Sequence, residues 1–128
     1  MLLLLDRLAL AGAAGKGLSQ MVFDEMFADM DRSLREMGVG DLSVGKKVRR
    51  MAEVFYGRAT AYRRAQASGD ELGLQRALDR NVFAGAGDPQ LVARLVRYVN
   101  ASAAGLAAHS RSDILRGRLH FPDPESIP

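Results

Sequence analysis

Apolar residues recur at steps of three and four along almost the whole of this chain. One series runs Val22, Phe23, Met26, Phe27, Met30, Leu34 and Met37. A helix with 3.6 residues per turn gathers such positions into one stripe. A second series, Val48, Met51, Ala52, Phe55, Ala59 and Tyr62, keeps the same period. Leu74, Leu78 and Val82 continue it, then Leu91, Leu95, Val99 and Leu106, with Val92, Val96 and Tyr98 beside them. Two-residue alternation is absent and β-branched residues are scattered, so no strand is expected. The pattern restricts the chain to an all-α fold: a single compact domain of five or six helices with a central antiparallel helix pair.

The breaks between series agree. Gly38-Val39-Gly40 stops the helix that follows Ser19 or Gly17, and a new one starts near Asp41 or Ser43. That helix is expected to end near Ser68-Gly69. Asp70 then suits an N-cap. Asp88-Pro89 reads as a cap followed by proline at the first helical position. A short helix over 112–116 precedes PDPESIP, which holds three of the four prolines and is expected to be extended. Residues 1–121 are therefore read as one helical domain and 122–128 as an extended tail.

The 128 residues fit one domain. There is no cysteine, which excludes disulfides, thiolate catalysis and cysteine metal sites. The opening MLLLLDRLALAGAA has a small-residue site near Ala11 to Ala13, as a signal peptide would. No positive charge precedes its apolar run, however, and Asp6-Arg7 interrupts it. It is too short to span a bilayer. Leu4, Leu5, Leu8 and Ala11 share a face, so it reads as a buried helix. Its abrupt start inside an apolar run suggests missing upstream sequence.

GDLSVGKK, Gly40 to Lys47, has the spacing of a phosphate-binding loop. Such a loop needs a strand before it and a Ser or Thr after the lysine to hold magnesium. Here an amphipathic helix precedes it and Lys47 follows Lys46. An interhelical turn is the better reading.

The charges beside that turn are segregated. Asp24, Glu25, Asp29, Asp31 and Glu36 stand against Arg32 and Arg35 on one side. Lys46, Lys47, Arg49, Arg50, Arg58, Arg63 and Arg64 stand against Glu53 on the other. In an antiparallel pair the two flanks could face each other across the turn, or both could be solvated, each exposed pair then being worth ~0–1 kcal/mol. Seven bases in nineteen positions also suit an acidic or polyanionic partner. Five of the six methionines, Met21, Met26, Met30, Met37 and Met51, lie in this region. Their place on the helical stripe points to core filling, although methionine also suits adaptable partner surfaces.

Catalytic signals are missing. His109 and His120 lack helical metal-ligand spacing. Ser110 and Asp113 are sequence neighbours of His109, not a triad. Asp29 and Asp31 diverge by about 200° on a helix and make a poor acid–base pair. No enzyme and no cofactor is expected.

From Met26 to Arg58 the chain resembles the ubiquinol–cytochrome c chaperone family, assembly factors for ubiquinol–cytochrome c reductase (respiratory complex III). The resemblance lies in the acidic helix DMDRSLRE, the turn MGVGDLSVGK, and FYGR followed by Ala59 to Tyr62. It continues more weakly through Ala77 to Phe83 and from Tyr98-Val99 to Gly117–Pro122. It implies a bacterial-type, non-enzymatic chaperone lacking N-terminal sequence that engages newly made cytochrome b. Implied further partners are the ribosome or an anionic membrane surface, and a small partner subunit; DNA is not among them. The implied location is the cytoplasm or the periphery of the inner membrane. The implied interaction surface is Asp29, Asp31, Arg35, Gly38, Gly40, Asp41, Gly45, Lys46, Lys47, Arg50, Phe55, Tyr56 and Arg58. The competing reading is a basic helical module that binds RNA or ribosome without a client.

Overall fold

Six α-helices account for the periodic stretches. In the computed structural model, which describes residues 1–128, they are α1 (Leu2–Ala9), α2 (Gly12–Glu36), α3 (Asp41–Ser68), α4 (Glu71–Val82), α5 (Pro89–Ala108) and α6 (Arg111–Leu115). A 3-10 turn follows at Pro124–Ser126. There is no strand, and the fold is all-α. No helix is long and apolar enough to cross a membrane. The chain divides into two compact units, Met1–Gly57 and Arg58–Pro128, with α3 contributing to both.

In the first unit α1 lies close against α2. Leu5, Leu8 and Ala11 are buried, as their spacing predicts. The connection is shorter than expected. Gly12, at φ 79°, turns the chain straight into α2, so Gly17 ends no helix and Ser19 caps none. The Ser19 hydroxyl instead donates to the Leu5 carbonyl at 3.1 Å. Gly15 makes the close approach feasible: a Cβ there would stand 2.2 Å from the Leu8 carbonyl oxygen.

The second unit is built on a small core of Ala65, Leu74, Leu78 and Val96, flanked by Tyr62, Leu95 and Val99. Its caps follow the sequence. The Asp70 carboxylate accepts from the Gly73 N–H at 2.8 Å. Asp88 accepts from Gln90 and Leu91, with Pro89 opening α5. Each such cap stabilises a helix start by ~1 kcal/mol. The buried face of α5 is centred between the two expected rows: Val92, Val96 and Leu106 are buried, Leu95 and Val99 are partly buried against the core, and Leu91 alone of the expected stripe is exposed. Val82 likewise faces outward at the end of α4.

The tail is held rather than simply extended. Arg94 donates to the carbonyls of Ile127 at 3.0 Å and Pro124 at 2.9 Å. Arg97 donates to the Pro128 oxygen at 2.7 Å. Proline cannot donate a backbone N–H but leaves its carbonyl free, and the Pro124 carbonyl is used here as an acceptor.

Candidate functional site

The segregated charges lie on the hairpin of α2 and α3. Its turn is built by backbone bonding. Gly38, at φ 82°, donates its N–H to the Arg35 carbonyl, and Val39 donates to Leu34. This pairing closes a helix end, and a left-handed residue at that position favours glycine. The Gly40 carbonyl then accepts from Ser43 and Val44, starting α3. Gly45, Lys46 and Lys47 therefore sit inside a helix. No strand delivers phosphate-binding amides here; the interhelical turn is confined to Gly38–Gly40, and Gly45, expected to belong to it, lies within α3.

Arg35 fastens the turn. Its guanidinium donates to Asp31 Oδ2 at 2.6 Å and to Asp41 across the turn. The hydrogen bond that Arg35 donates to Asp31, then the charge of Asp31, raise the pKa of Arg35 above the ordinary value, with Asp41 adding to the effect. Asp29 pairs with Arg32 along α2 at 3.4 Å. The acidic flank is thus engaged largely within its own helix. Of the two arrangements the sequence leaves open, the ion pairs fit separate solvation: none joins an acid of α2 to a base of α3, and the pair across the turn is Arg35–Asp41.

The basic arm is left outward. Lys46, Lys47, Arg49, Arg50 and Arg58 are exposed and enter none of the ion pairs of the hairpin. Asp41, Leu42, Gly45, Lys46, Arg49, Arg50 and Glu53 line one open depression of about 680 Å³. These residues recur at steps of three and four, so they share one face of α3.

Aromatic rings hold the two arms together. Phe23 lies 4.7 Å from Phe27, 5.7 Å from Phe55 and 5.3 Å from Tyr56, centroid to centroid. Phe55 meets Phe27 edge-on. Phe23 and Phe55 stand at equal distances from the turn, which makes the pair antiparallel. Phe27 is buried, Phe55 is partly buried and Tyr56 is exposed. Edge-on rings contribute ~0.5–1.5 kcal/mol beyond their buried area. The methionines, however, do not fill this core. Met21 is 68% exposed and Met37 72% exposed, Met51 is exposed, and Met26 and Met30 are only partly buried. A hairpin of two long helices has too little opposing surface to bury all their apolar side chains.

The structure thus brings together Asp31, Arg35 and Asp41 at the turn with Gly38 and Gly40. It places Gly45, Lys46 and Arg50 on one face of α3, and Phe55 and Tyr56 in the ring cluster. Lys47 and Arg58 lie on another side of α3, and Asp29 stands apart from the lock. Sequence reasoning passed over Leu42, which is 95% exposed. Its four-residue step to Lys46 was the available signal. It also passed over an apolar groove of about 540 Å³ in the second unit, lined by Val82, Phe83, Leu91, Leu95 and Tyr98 with Pro124 of the tail. No period announces that groove, because the tail supplies one of its walls.

His109 and His120, eleven residues apart, stack at 6.0 Å. His109 Nδ1 lies 2.7 Å from the Gly105 carbonyl, so it donates, and Nε2 accepts from the His120 N–H at 3.2 Å. Both ring nitrogens are thereby used. No group of three or more His, Cys, Asp or Glu side chains is arranged to hold a metal ion.

Residues 1–121 match the family model described as ubiquinol-cytochrome C chaperone. The chain is 29% identical over 112 residues to ubiquinol-cytochrome-c reductase complex assembly factor 1 of Xenopus laevis, covering 87% of this chain and 56% of that protein. It thus spans little more than half of that curated relative. It superposes on the crystal structure of the Cbp3 homolog from Brucella abortus with a TM-score of 0.87 and 32% identity, covering 98% of this chain and 70% of that one.

Proposed function

Because this chain belongs to the ubiquinol–cytochrome c chaperone family, we propose that it is an assembly chaperone for respiratory complex III, acting without catalysis on newly made cytochrome b. The family match over residues 1–121 carries this reading. The Xenopus relative, whose name describes an assembly factor of the same complex, supports it.

The surface chemistry is consistent with a transient client. A chaperone for a membrane protein must cover apolar side chains and then release them. Exposed Met51, Val54 and Tyr56 beside Phe55 and Arg58 supply apolar area with cations at its edge. Methionine adapts to varied apolar partners because its side chain is unbranched and polarizable. In this reading Asp31, Arg35 and Asp41 set the turn, while Lys46, Lys47, Arg50, Phe55, Tyr56 and Arg58 make contact.

Deletion of the gene should lower assembled complex III while other respiratory complexes persist, measured by native electrophoresis of membranes. Normal complex III in the deletion strain refutes the proposal. Replacing Lys46, Lys47 and Arg50 together by Glu should preserve helicity and abolish co-purification of cytochrome b. Retained co-purification would remove the basic face from the client site.

A further inference from the structure

We propose that the 122–128 tail is a displaceable placeholder in a peptide-binding site on α4 and α5, and that the site takes a partner segment carrying a proline-bracketed, acid-capped turn like the tail's own. The proposal does not rest on the client reading, since it uses only the second unit.

The tail shows what the site accepts. The Asp123 carboxylate accepts from the Glu125 N–H at 2.9 Å and caps the 3-10 turn over Pro124–Ser126. Pro122, Pro124 and Pro128 have φ fixed by their rings, so a turn already bent loses little freedom on docking. Arg94 holds both ends of that turn. Its guanidinium donates to the carbonyls of Pro124 and Ile127, three residues apart. A rigid fork of donors suits such a pair of acceptors. Arg97 donates to the next residue, at the Pro128 oxygen. All three acceptors are main-chain oxygens. Any segment that adopts the same turn satisfies them, whatever its side chains.

The tail fills the site poorly. Pro124 and Glu125 wall one side of the groove, and about 540 Å³ remains open between them and the apolar side chains of α4 and α5. That volume lies within the range of ligand sites. Val82 and Leu91 stay exposed on its other side. Of the tail's own residues, Pro122 and Ile127 alone are partly buried. The turn residue beside Pro124 is Glu125, whose carboxylate covers no apolar surface and is costly to bury. A partner segment with an apolar residue at that place keeps the Arg94 bonds, covers the groove and displaces the tail. Proline-bearing segments commonly dock against aromatic rings, and Phe83 and Tyr98 supply rings here.

The test follows the tail in the full chain. The sequence has no cysteine, so Gln90→Cys and Ser126→Cys, both exposed, take one pair of spin labels. Pulsed electron resonance should give one narrow distance. Arg94→Ala with Arg97→Ala should broaden it while helicity by circular dichroism stays unchanged, since both arginines are exposed. A separate peptide of residues 122–128 should broaden it in the unmutated background. Half-displacement should fall in the millimolar range, because a tethered tail competes at an effective concentration of about that size. The same peptide with its prolines replaced by alanine should need about tenfold more, through the lost rigidity. The peptide carrying Glu125→Leu should need roughly tenfold less, through apolar burial in the groove. An unchanged distance in the arginine variant overturns the strap, and no displacement by any peptide overturns the site. Equal potency of the glutamate and leucine peptides overturns the groove as its continuation. A dimer that grows with protein concentration and carries the tail across would overturn the partner reading in favour of exchange between copies. The assay contains no client, so its failure leaves the assembly reading standing.

Discussion

Replacing Gly15 by alanine should destabilise this protein, although alanine favours helices. In the interior of an α-helix, Gly→Ala ordinarily stabilises by ~1 kcal/mol, because it restricts the unfolded backbone. At Gly15 the added Cβ would lie 2.2 Å from the Leu8 carbonyl oxygen and 2.7 Å from Ala11 Cβ. The nearer obstacle is backbone, which cannot rotate aside as a flexible side chain can. Either α1 must shift away from α2, opening the contacts of Leu5 and Leu8, or the clash remains. Overpacking of this kind costs ~1–3 kcal/mol, and a backbone obstacle places it toward the upper end. Subtracting the propensity gain leaves a net loss of ~2 kcal/mol. For a chain of this length that lowers Tm by about 5–10 °C. Gly17→Ala is the internal control. It lies two residues further along the same helix with nothing within 4 Å of its would-be Cβ. It should show the ordinary gain of up to ~1 kcal/mol. Thermal and urea unfolding followed by far-ultraviolet circular dichroism measure both. A Gly15→Ala chain as stable as the wild type would refute the close α1–α2 approach. An equal loss in both variants would show that the effect is not the contact with α1.

Two further substitutions test the packing of each unit. Leu74→Ala, in the Ala65–Leu78–Val96 core, should cost ~3 kcal/mol in urea unfolding, and a loss below ~1 kcal/mol would mean that this cluster is not a core. Phe55→Ala removes a partly buried ring. It should cost ~2 kcal/mol rather than the ~3–5 typical of a fully buried phenylalanine, and less than Phe27→Ala in the same assay; the reverse order would contradict the ring geometry.

The sequence by itself determined the helices, the absence of strands and the breaks after the first, although not the junction at Gly12 between α1 and α2. Spacing of apolar residues fixes which segments can present one sticky side, and capping chemistry at Asp70, Asp88 and Gly38 is local to a few bonds. The charge segregation around the turn was legible for the same reason. Tertiary structure alone decided which side chains the helices cover. Leu91 on α5, Val82 and most methionines stayed outside, because burial depends on what lies opposite rather than on period. From sequence the acidic and basic arms could pair or be solvated apart; in the fold Arg35 takes up Asp31 and Asp41, and Lys46, Lys47, Arg49, Arg50 and Arg58 remain outward. Gly15 carries no signal in one dimension; in three it is the gap through which two backbones pass. Periodicity is a property of one segment, whereas burial and pairing are properties of two.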